Sequence, residues 1–235
     1  MRINKFISDA GKTSRRGADR LIEEGKVIVN GKKAKIGMRI EPGDDVRVNG
    51  NQLYIAQNNV YIALNKPIGI TSTTEKNVQG NLTDLVQQPF RVFNIGRLDK
   101  ESDGLILMTN DGDIVNEILR PEHKHEKEYI VAVDRPITDE FLEGMASGVR
   151  ILGTTTDPCK VEKLSKYEFN ITLTQGLNRQ IRRMCEVFGY EVVRLQRHRV
   201  MNIHLGNLPP GQWRYLSKKE KKTLFDTLDY EPREW

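Results

Sequence analysis

Apolar positions near the start of the chain recur at helical spacing. Ile3, Phe6, Ile7 and Ala10 stand at i, i+3, i+4 and i+7, one face of a helix that Gly11 closes. Ser14 is placed to cap a second helix, with Ala18, Leu21 and Ile22 on its apolar face and Gly25 at its end. The pattern then changes. Val27-Ile28-Val29, the pair Asn30-Gly31 and the stretch from Lys32 to Ile36 predict a hairpin, because Asn-Gly suits the two positive-φ positions of a tight turn. Pro42-Gly43-Asp44 turns the chain into Val46-Arg47-Val48. Residues 49–59 are polar around one short apolar patch and are expected to form a hairpin end and linker.

Beyond the linker, Tyr61-Ile62-Ala63-Leu64 predicts a strand ending at Asn65-Lys66-Pro67, and polar, Thr-rich residues 69–80 predict a surface loop. Leu105 to Thr109 is almost continuously apolar, as expected of a central strand buried on both faces. Asn110 or Asp111 caps a helix through Leu119, and Tyr129 to Val133 forms another strand. Thr138 caps a helix whose first turn carries Asp139 and Glu140, at the positive end of its dipole. Phe169, Ile171 and Leu173 alternate, a strand with one wet face. Asn178 is expected to cap a last helix ending at Gly189, with Ile181, Met184, Cys185 and Phe188 buried. The order lacks βαβ regularity, so the fold class is α+β. The expected division is a module at 1–57, a body at 58–228 and a tail at 229–235.

Composition removes several classes. No apolar run approaches the roughly 20 residues that span a bilayer, and Met1 to Ala10 lacks the apolar stretch of a signal peptide. A cytoplasmic, non-membrane protein is expected. Cys159 and Cys185 alone make neither a disulfide framework nor a four-thiolate zinc site. The net charge of +5 changes the picture once it is located. Residues 1–50 hold twelve Lys and Arg against seven Asp and Glu, so the remaining chain is neutral. A compact basic module ahead of a neutral body suggests a polyanion-binding appendage. Arg15, Arg16 and Arg20 cluster at the start of the second helix, and Lys26, Lys32, Lys33 and Lys35 lie along the hairpin. With Phe6 the one aromatic before Tyr54, contacts to phosphate and helix shape fit better than stacking on unpaired bases. A solvated charged face would account for these residues singly.

Familiar catalytic motifs are missing: there is no dinucleotide fingerprint, phosphate-binding P-loop or nucleophile elbow. His123-Lys124-His125 finds no further ligands at zinc spacing, so no metal site is expected. Three segments stand out. Residues 94–105 set Arg97, Asp99 and Lys100 in a polar loop leading into a buried strand, where catalytic groups commonly sit; a lone Asp there is otherwise a turn former. Tyr129 opens a strand, as edge aromatics often do. In the helix after Asn178, Arg179 and Arg183 point away from the buried stripe, while Arg182 lies on its border. A border Arg can turn its guanidinium into a cleft, or pair with Glu186 on the surface. Six arginines and two acids between Arg179 and Arg199 suggest a second positive surface.

Residues 14–46, within a pattern spanning 2–50, resemble the S4 RNA-binding domain, which implies structured RNA as the ligand. The segments at 96–105, 127–131 and 176–184, in this order and spacing, resemble the RsuA family of ribosomal RNA pseudouridine synthases, in its RluF type. Asn65-Lys66-Pro67 and residues 107–112 match as well, and the similarity runs over roughly 2–220. The resemblance implies a mixed, mainly antiparallel catalytic sheet flanked by helices, with no cofactor. Its substrate would be a ribosomal RNA stem-loop, in the large subunit, with transfer RNA a further possibility, and the enzyme a monomer. Asp99 would be the nucleophile, with attack at C1′ and addition at C6 both open. Arg182 would keep Asp99 ionised, and Tyr129 would stack on the uracil or handle the C5 proton. Because duplex stacking hides the base, it must be flipped out, and Arg97 would fill its space. Arg179, Arg183, Arg15, Arg16, Arg20, Lys32 and Lys33 would contact the RNA. Leu177, Gln196 and His198 depart from the residues common in the family and bear on target choice rather than on the reaction. The competing expectations are a non-catalytic ribosome-assembly factor that binds RNA, and a carboxylate-based hydrolase, for which no second acid stands at a fixed spacing.

Overall fold

A computed structural model describes residues 1–55, 59–74 and 78–232. The expected boundary at 57/58, the middle of the 69–80 loop and the last residues of the expected tail lie outside these. The first module comprises α1 (Ile3–Asp9), α2 (Arg15–Glu23), β1 (Val27–Val29), β2 (Lys32–Lys33), β3 (Val46–Val48) and β4 (Asn51–Gln52), in a sheet of order β2-β1-β3-β4. Ser14 caps α2 by accepting from the Gly17 N–H at 3.1 Å. Asn30 and Gly31 both take positive φ, which the hairpin turn requires. Strand β2 is shorter than expected: after the Ala34 N–H donates to the Val27 carbonyl at 2.9 Å the chain leaves β1, and Lys35 and Ile36 are exposed. Ile3, Ile7, Ala18, Ile22, Val27, Val46 and Val48 form that core.

The body opens with β5 (Tyr61–Lys66), α3 (Leu82–Leu85), β6 (Phe93–Ile95), β7 (Asp103–Thr109) and α4 (Gly112–Leu119). Then come β8 (Lys127–Val133), α5 (Asp139–Ser147), the short pair β9 (Arg150–Ile151) and β10 (Thr154–Thr155), β11 (Lys160–Lys163) and β12 (Glu168–Leu173). The chain continues through α6 (Gln180–Val187), β13 (Val192–Val200), β14 (Ile203–His204), β15 (Trp213–Tyr215) and α7 (Lys218–Leu228). The main sheet runs β11-β12-β8-β13-β7-β5-β15, with β14 added to β13 and β6 to β7. Every pairing is antiparallel except β13 with β7. This is a mixed α+β arrangement, as expected, with the small basic module in front. Asp111 and Thr138 cap α4 and α5, accepting from the N–H groups of Asp113 and Phe141. The Tyr230 hydroxyl donates to Asp111 at 2.7 Å, so the expected tail begins packed against the body. Lys5 meets Asp113 at 3.4 Å, and Arg91 donates to the Ser8 hydroxyl at 3.4 Å, joining the first module to the body.

Two expectations about α6 are corrected. Asn178 does not cap it: the cap position falls to Arg179, at φ 50°, with no side-chain capping bond. The Asn178 side chain and carbonyl are taken up by Arg183. Phe188 is 36% exposed rather than buried, because the helix has already ended and the ring covers Phe141 and Gly144 from outside.

Strands β7 and β13 set the position of everything that follows. Gln196 and Arg197 face Asp103 and Gly104 in parallel register. Gly104 has φ +105°, and a Cβ on it would lie 2.2 Å from the Arg197 carbonyl oxygen. The strands meet here because residue 104 has no side chain. Gly104→Ala is therefore expected to cost roughly 1–3 kcal/mol from overpacking, read as a lower urea midpoint at unchanged m value. A loss below about 0.5 kcal/mol would mean that β13 can shift aside.

Candidate active site

The loop between β6 and β7 carries Arg97, Leu98 and Asp99. The Ser72 hydroxyl donates to the Leu98 carbonyl at 2.6 Å and accepts from the Leu98 N–H at 3.0 Å, so one buried side chain holds the residue before Asp99. The Ser102 N–H closes a turn onto the Asp99 carbonyl at 3.1 Å, and the Gly69 N–H donates to the Lys100 carbonyl at 2.8 Å. Asp103, at the end of the loop, accepts from Arg194 at 2.9 Å and from Gln196 at 2.8 Å. The backbone around Asp99 is thus tied down on both sides, while its own side chain is half-buried and enters no ion pair among the described residues.

Asp99 lines a cleft of about 110 Å³ together with Arg97, Tyr129, Arg179, Gln180 and Leu177. That volume is well below the roughly 300 Å³ at which drug-sized ligand sites begin, and suits one small planar group. Tyr129 comes from β8, paired with Ile171 of β12 on one side and Arg197 of β13 on the other. Arg179 comes from the start of α6 and reaches across to Glu101, 2.7 Å away, holding that carboxylate below its usual range. The tertiary structure so brings together Asp99, Tyr129, Arg97 and Arg179 from three distant segments.

Arg182 is placed differently from either expectation. It joins neither Asp99 nor Glu186 in an ion pair among the described residues. Its guanidinium donates to the carbonyls of Val192 (3.1 Å) and Glu101 (3.3 Å) and to the Ser102 hydroxyl (3.4 Å). The side chain crosses from α6 onto the back of the loop, and its link to Asp99 runs through the loop backbone. Arg183 lies outside the cleft, bonded to Asn178. Arg15, Arg16, Arg20, Lys32 and Lys33 are all exposed on the first module and enter no ion pair among the described residues. His123 and His125 stack edge to face at 5.4 Å.

Two cations near the cleft are not signalled by the sequence pattern. Lys66, at the end of β5, is fully buried, and its ammonium donates to the carbonyls of Pro67 and Ile70, both at 2.9 Å. Burial pushes its pKa down to about 8, opposed by the negative charges of Asp103, Asp99 and Glu101. The one available hint is a lysine closing an apolar strand before a proline. Arg197, inside β13, is 3% exposed. Nothing in the run Val-Val-Arg-Leu-Gln-Arg-His-Arg-Val distinguishes it from the more exposed Arg194 and Arg199.

Known proteins resemble this chain in both of its parts. The model for RNA pseudouridylate synthase matches residues 60–187, and that for the S4 domain matches residues 1–46. The dual-specificity RNA pseudouridine synthase RluF of Escherichia coli (strain K12) is 56% identical over 231 residues, covering 97% of this chain and 80% of that protein. The ribosomal large subunit pseudouridine synthase B of Bacillus subtilis (strain 168) is 35% identical, covering 97% of each. A crystal structure of a pseudouridylate synthase superposes with a TM-score of 0.71 at 29% identity, over 95% of this chain and 99% of that one.

Lys66 also generates a test of the site's electrostatics. The folded protein releases its proton near pH 8, whereas an unfolded lysine holds it to about 10.5. Between these values the unfolded state binds more protons, so the Lys66 contribution to stability rises with pH across that window. Lys127, also lowered by burial, acts in the same direction. The urea midpoint of the wild type should therefore gain on that of Lys66→Met from pH 8 to 10. Parallel profiles would mean that the buried lysine titrates like a free one.

Proposed function

The chain belongs to the RNA pseudouridylate synthase family, as a synthase of the RsuA/RluF type that acts on RNA, and on that premise we propose that it isomerises a specific uridine in large-subunit ribosomal RNA, with Asp99 as nucleophile. One observation carries the assignment of residues: Asp99, from the loop before β7, and Tyr129, from β8, line the same small cleft with Arg97 and Arg179 beside them. The two similar proteins named above are, by name, a dual-specificity RNA enzyme and a ribosomal large-subunit enzyme, which favours ribosomal RNA and leaves room for a transfer RNA substrate.

The reaction breaks the N1–C1′ bond of uridine, turns the uracil and joins C5 to C1′; C5 loses its proton and N1 gains one. Atoms and charge balance without an oxidant or group donor. What is needed is a carboxylate that stays engaged while the base turns. Asp99 fills that role, on a loop tied through Ser72, Ser102 and Gly69 so that its approach is fixed in advance. Tyr129 faces the base, with its ring available for stacking and its hydroxyl for the C5 proton. Arg182 adds positive charge behind the loop through Glu101 and Ser102. Arg97, exposed at the rim, takes the space left by the flipped nucleotide. Arg179 and Arg183 line the path of the strand, and Arg15, Arg16, Arg20, Lys32 and Lys33 hold the flanking duplex. The protein works as a monomer in the cytoplasm, with residues 1–57 binding RNA and residues 58–228 performing the reaction.

Tritium release from uridine-5-tritiated ribosomal RNA measures the reaction, because C5 must lose its hydrogen. Release is expected from large-subunit RNA, and release from small-subunit RNA alone would overturn the target. Asp99→Ala and Asp99→Asn should bind RNA like wild type and release nothing measurable. Turnover of Asp99→Asn above about 1% of wild type contradicts a covalent role, whose loss costs several orders of magnitude.

Binding separates from chemistry in a second experiment. Replacing Arg15, Arg16 and Arg20 by Ala should flatten the slope of log affinity against log salt by roughly 0.7–0.9 for each phosphate no longer neutralised, with kcat at saturating RNA unchanged. An unaltered slope would return these arginines to the role of a solvated surface.

A further inference from the structure

Arg197 is a cation buried inside the main sheet. It is 3% exposed, and no ion pair joins it to a carboxylate among the described residues. The charged neighbours it influences include Lys66 and Lys127, both positive. Burying such a group is costly, and an apolar side chain of similar size would fill the same volume at lower cost.

Its hydrogen bonds indicate what it does there. Nε donates to the Leu105 carbonyl at 2.7 Å, and Nη1 reaches the Arg97 carbonyl at 3.5 Å. These two carbonyls stand at opposite ends of the segment that carries Asp99. One end enters the loop two residues before Asp99, and the other lies in β7 where the loop has rejoined the sheet. The guanidinium gets there because Gly104 lets β13 run against β7, and the same residue of β13 stands opposite Tyr129 in β8. One rigid side chain is therefore connected to both ends of the Asp99 loop and, through its own backbone, to the strand bearing Tyr129.

We propose that Arg197 is a positioning residue for the isomerisation: its guanidinium staples the two ends of the Asp99 loop and sets the carboxylate against the cleft face that Tyr129 forms. The inference rests on the assignment of Asp99 as nucleophile. Arg197 touches neither substrate nor the reacting atoms. The planar fork is the needed feature, since it directs separate donors at two carbonyls, whereas an ammonium is a point charge on a flexible stem. A loop freed at one end would let Asp99 wander by about an ångström, a displacement that can reduce turnover on the order of a hundredfold.

Arg197→Met and Arg197→Lys distinguish positioning from simple support of the fold. Met fills the space without burying a charge, so thermal stability should stay level or rise, while kcat for tritium release falls at least tenfold. Lys keeps the charge without the fork and should also lose at least tenfold in kcat. In both variants the Kd for large-subunit ribosomal RNA should remain within about twofold of wild type. The proposal is overturned if folded Arg197→Met keeps kcat within twofold of wild type. It is equally overturned if the loss of activity follows the loss of folded protein, or appears in Kd rather than kcat. Asp99→Ala assayed alongside keeps the two claims apart. An active Asp99→Ala protein sinks the nucleophile assignment, whereas an inactive one beside a fully active Arg197→Met protein sinks only the staple.

Discussion

The close approach of two strands at Gly104 is the constraint on which the rest of the body depends. Antiparallel pairing would have been simple to extend around this sheet. Instead β13 lies parallel to β7, and its Arg197 backbone occupies the space that a Cβ at residue 104 would need. Because Gly104 follows the Asp99 loop directly, this approach places the end of that loop beside β13. Because β13 also pairs with β8, it brings Tyr129 to the same place. Asp99 and Tyr129 share a cleft through one missing side chain and two pairings.

Polar satisfaction then shapes the loop. Ser72 serves both the N–H and the carbonyl of Leu98, Arg182 takes the Glu101 carbonyl and the Ser102 hydroxyl, and Lys66 takes two carbonyls in the turn after β5. Buried carbonyls without partners are costly, and here long cationic side chains supply the donors. The Asp99 carboxylate enters no ion pair among the described residues, while Arg182 and Lys66 are occupied by backbone carbonyls. Positive charge thus surrounds Asp99 at a distance, from Lys66 and Arg179, rather than in a closed ion pair. For the nucleophilic role proposed above, such surroundings leave the carboxylate more available than a bidentate clamp would.

The two basic regions differ in how their charges are paired. On the first module Arg15, Arg16, Arg20, Lys32 and Lys33 are exposed and enter no ion pair among the described residues, whereas Lys26 pairs with Glu24 at 2.6 Å. On the body, three of the six arginines from 179 to 199 are paired with acids: Arg179 with Glu101, Arg194 with Asp103, and Arg199 with Glu126 and Glu128. The second positive surface inferred from six arginines and two acids is largely neutralised by acids from other segments. That neutralisation was invisible in the local count, because the partners lie far away in sequence.

Much of the local structure was legible because its causes are local. The i, i+3, i+4 face of α1, the caps at Ser14 and Thr138, and the Asn30-Gly31 turn each depend on a few adjacent residues, and each is found where the pattern placed it. The continuous apolar run of β7 likewise required a strand covered on both faces, and it lies in the interior of the sheet. The cap of α6 was misplaced because Asn178 is claimed by Arg183, five residues on, a local competition that capping preference alone does not settle. Strand β13 was unreadable, since alternation fails where polar residues are buried, and the arginines along it become distinct only when neighbouring strands bury one and pair another. The sequence by itself determined many of the element types, through periodicity and capping, and the basic character of the first module, through charge along the chain; the segment carrying Asp99 gained its meaning only from its resemblance to a family. Only the tertiary structure decided that Arg182 grips the loop backbone rather than Asp99, and that Arg197 lies beneath the loop. Those outcomes depend on which distant carbonyls and carboxylates the folded sheet brings within hydrogen-bond reach.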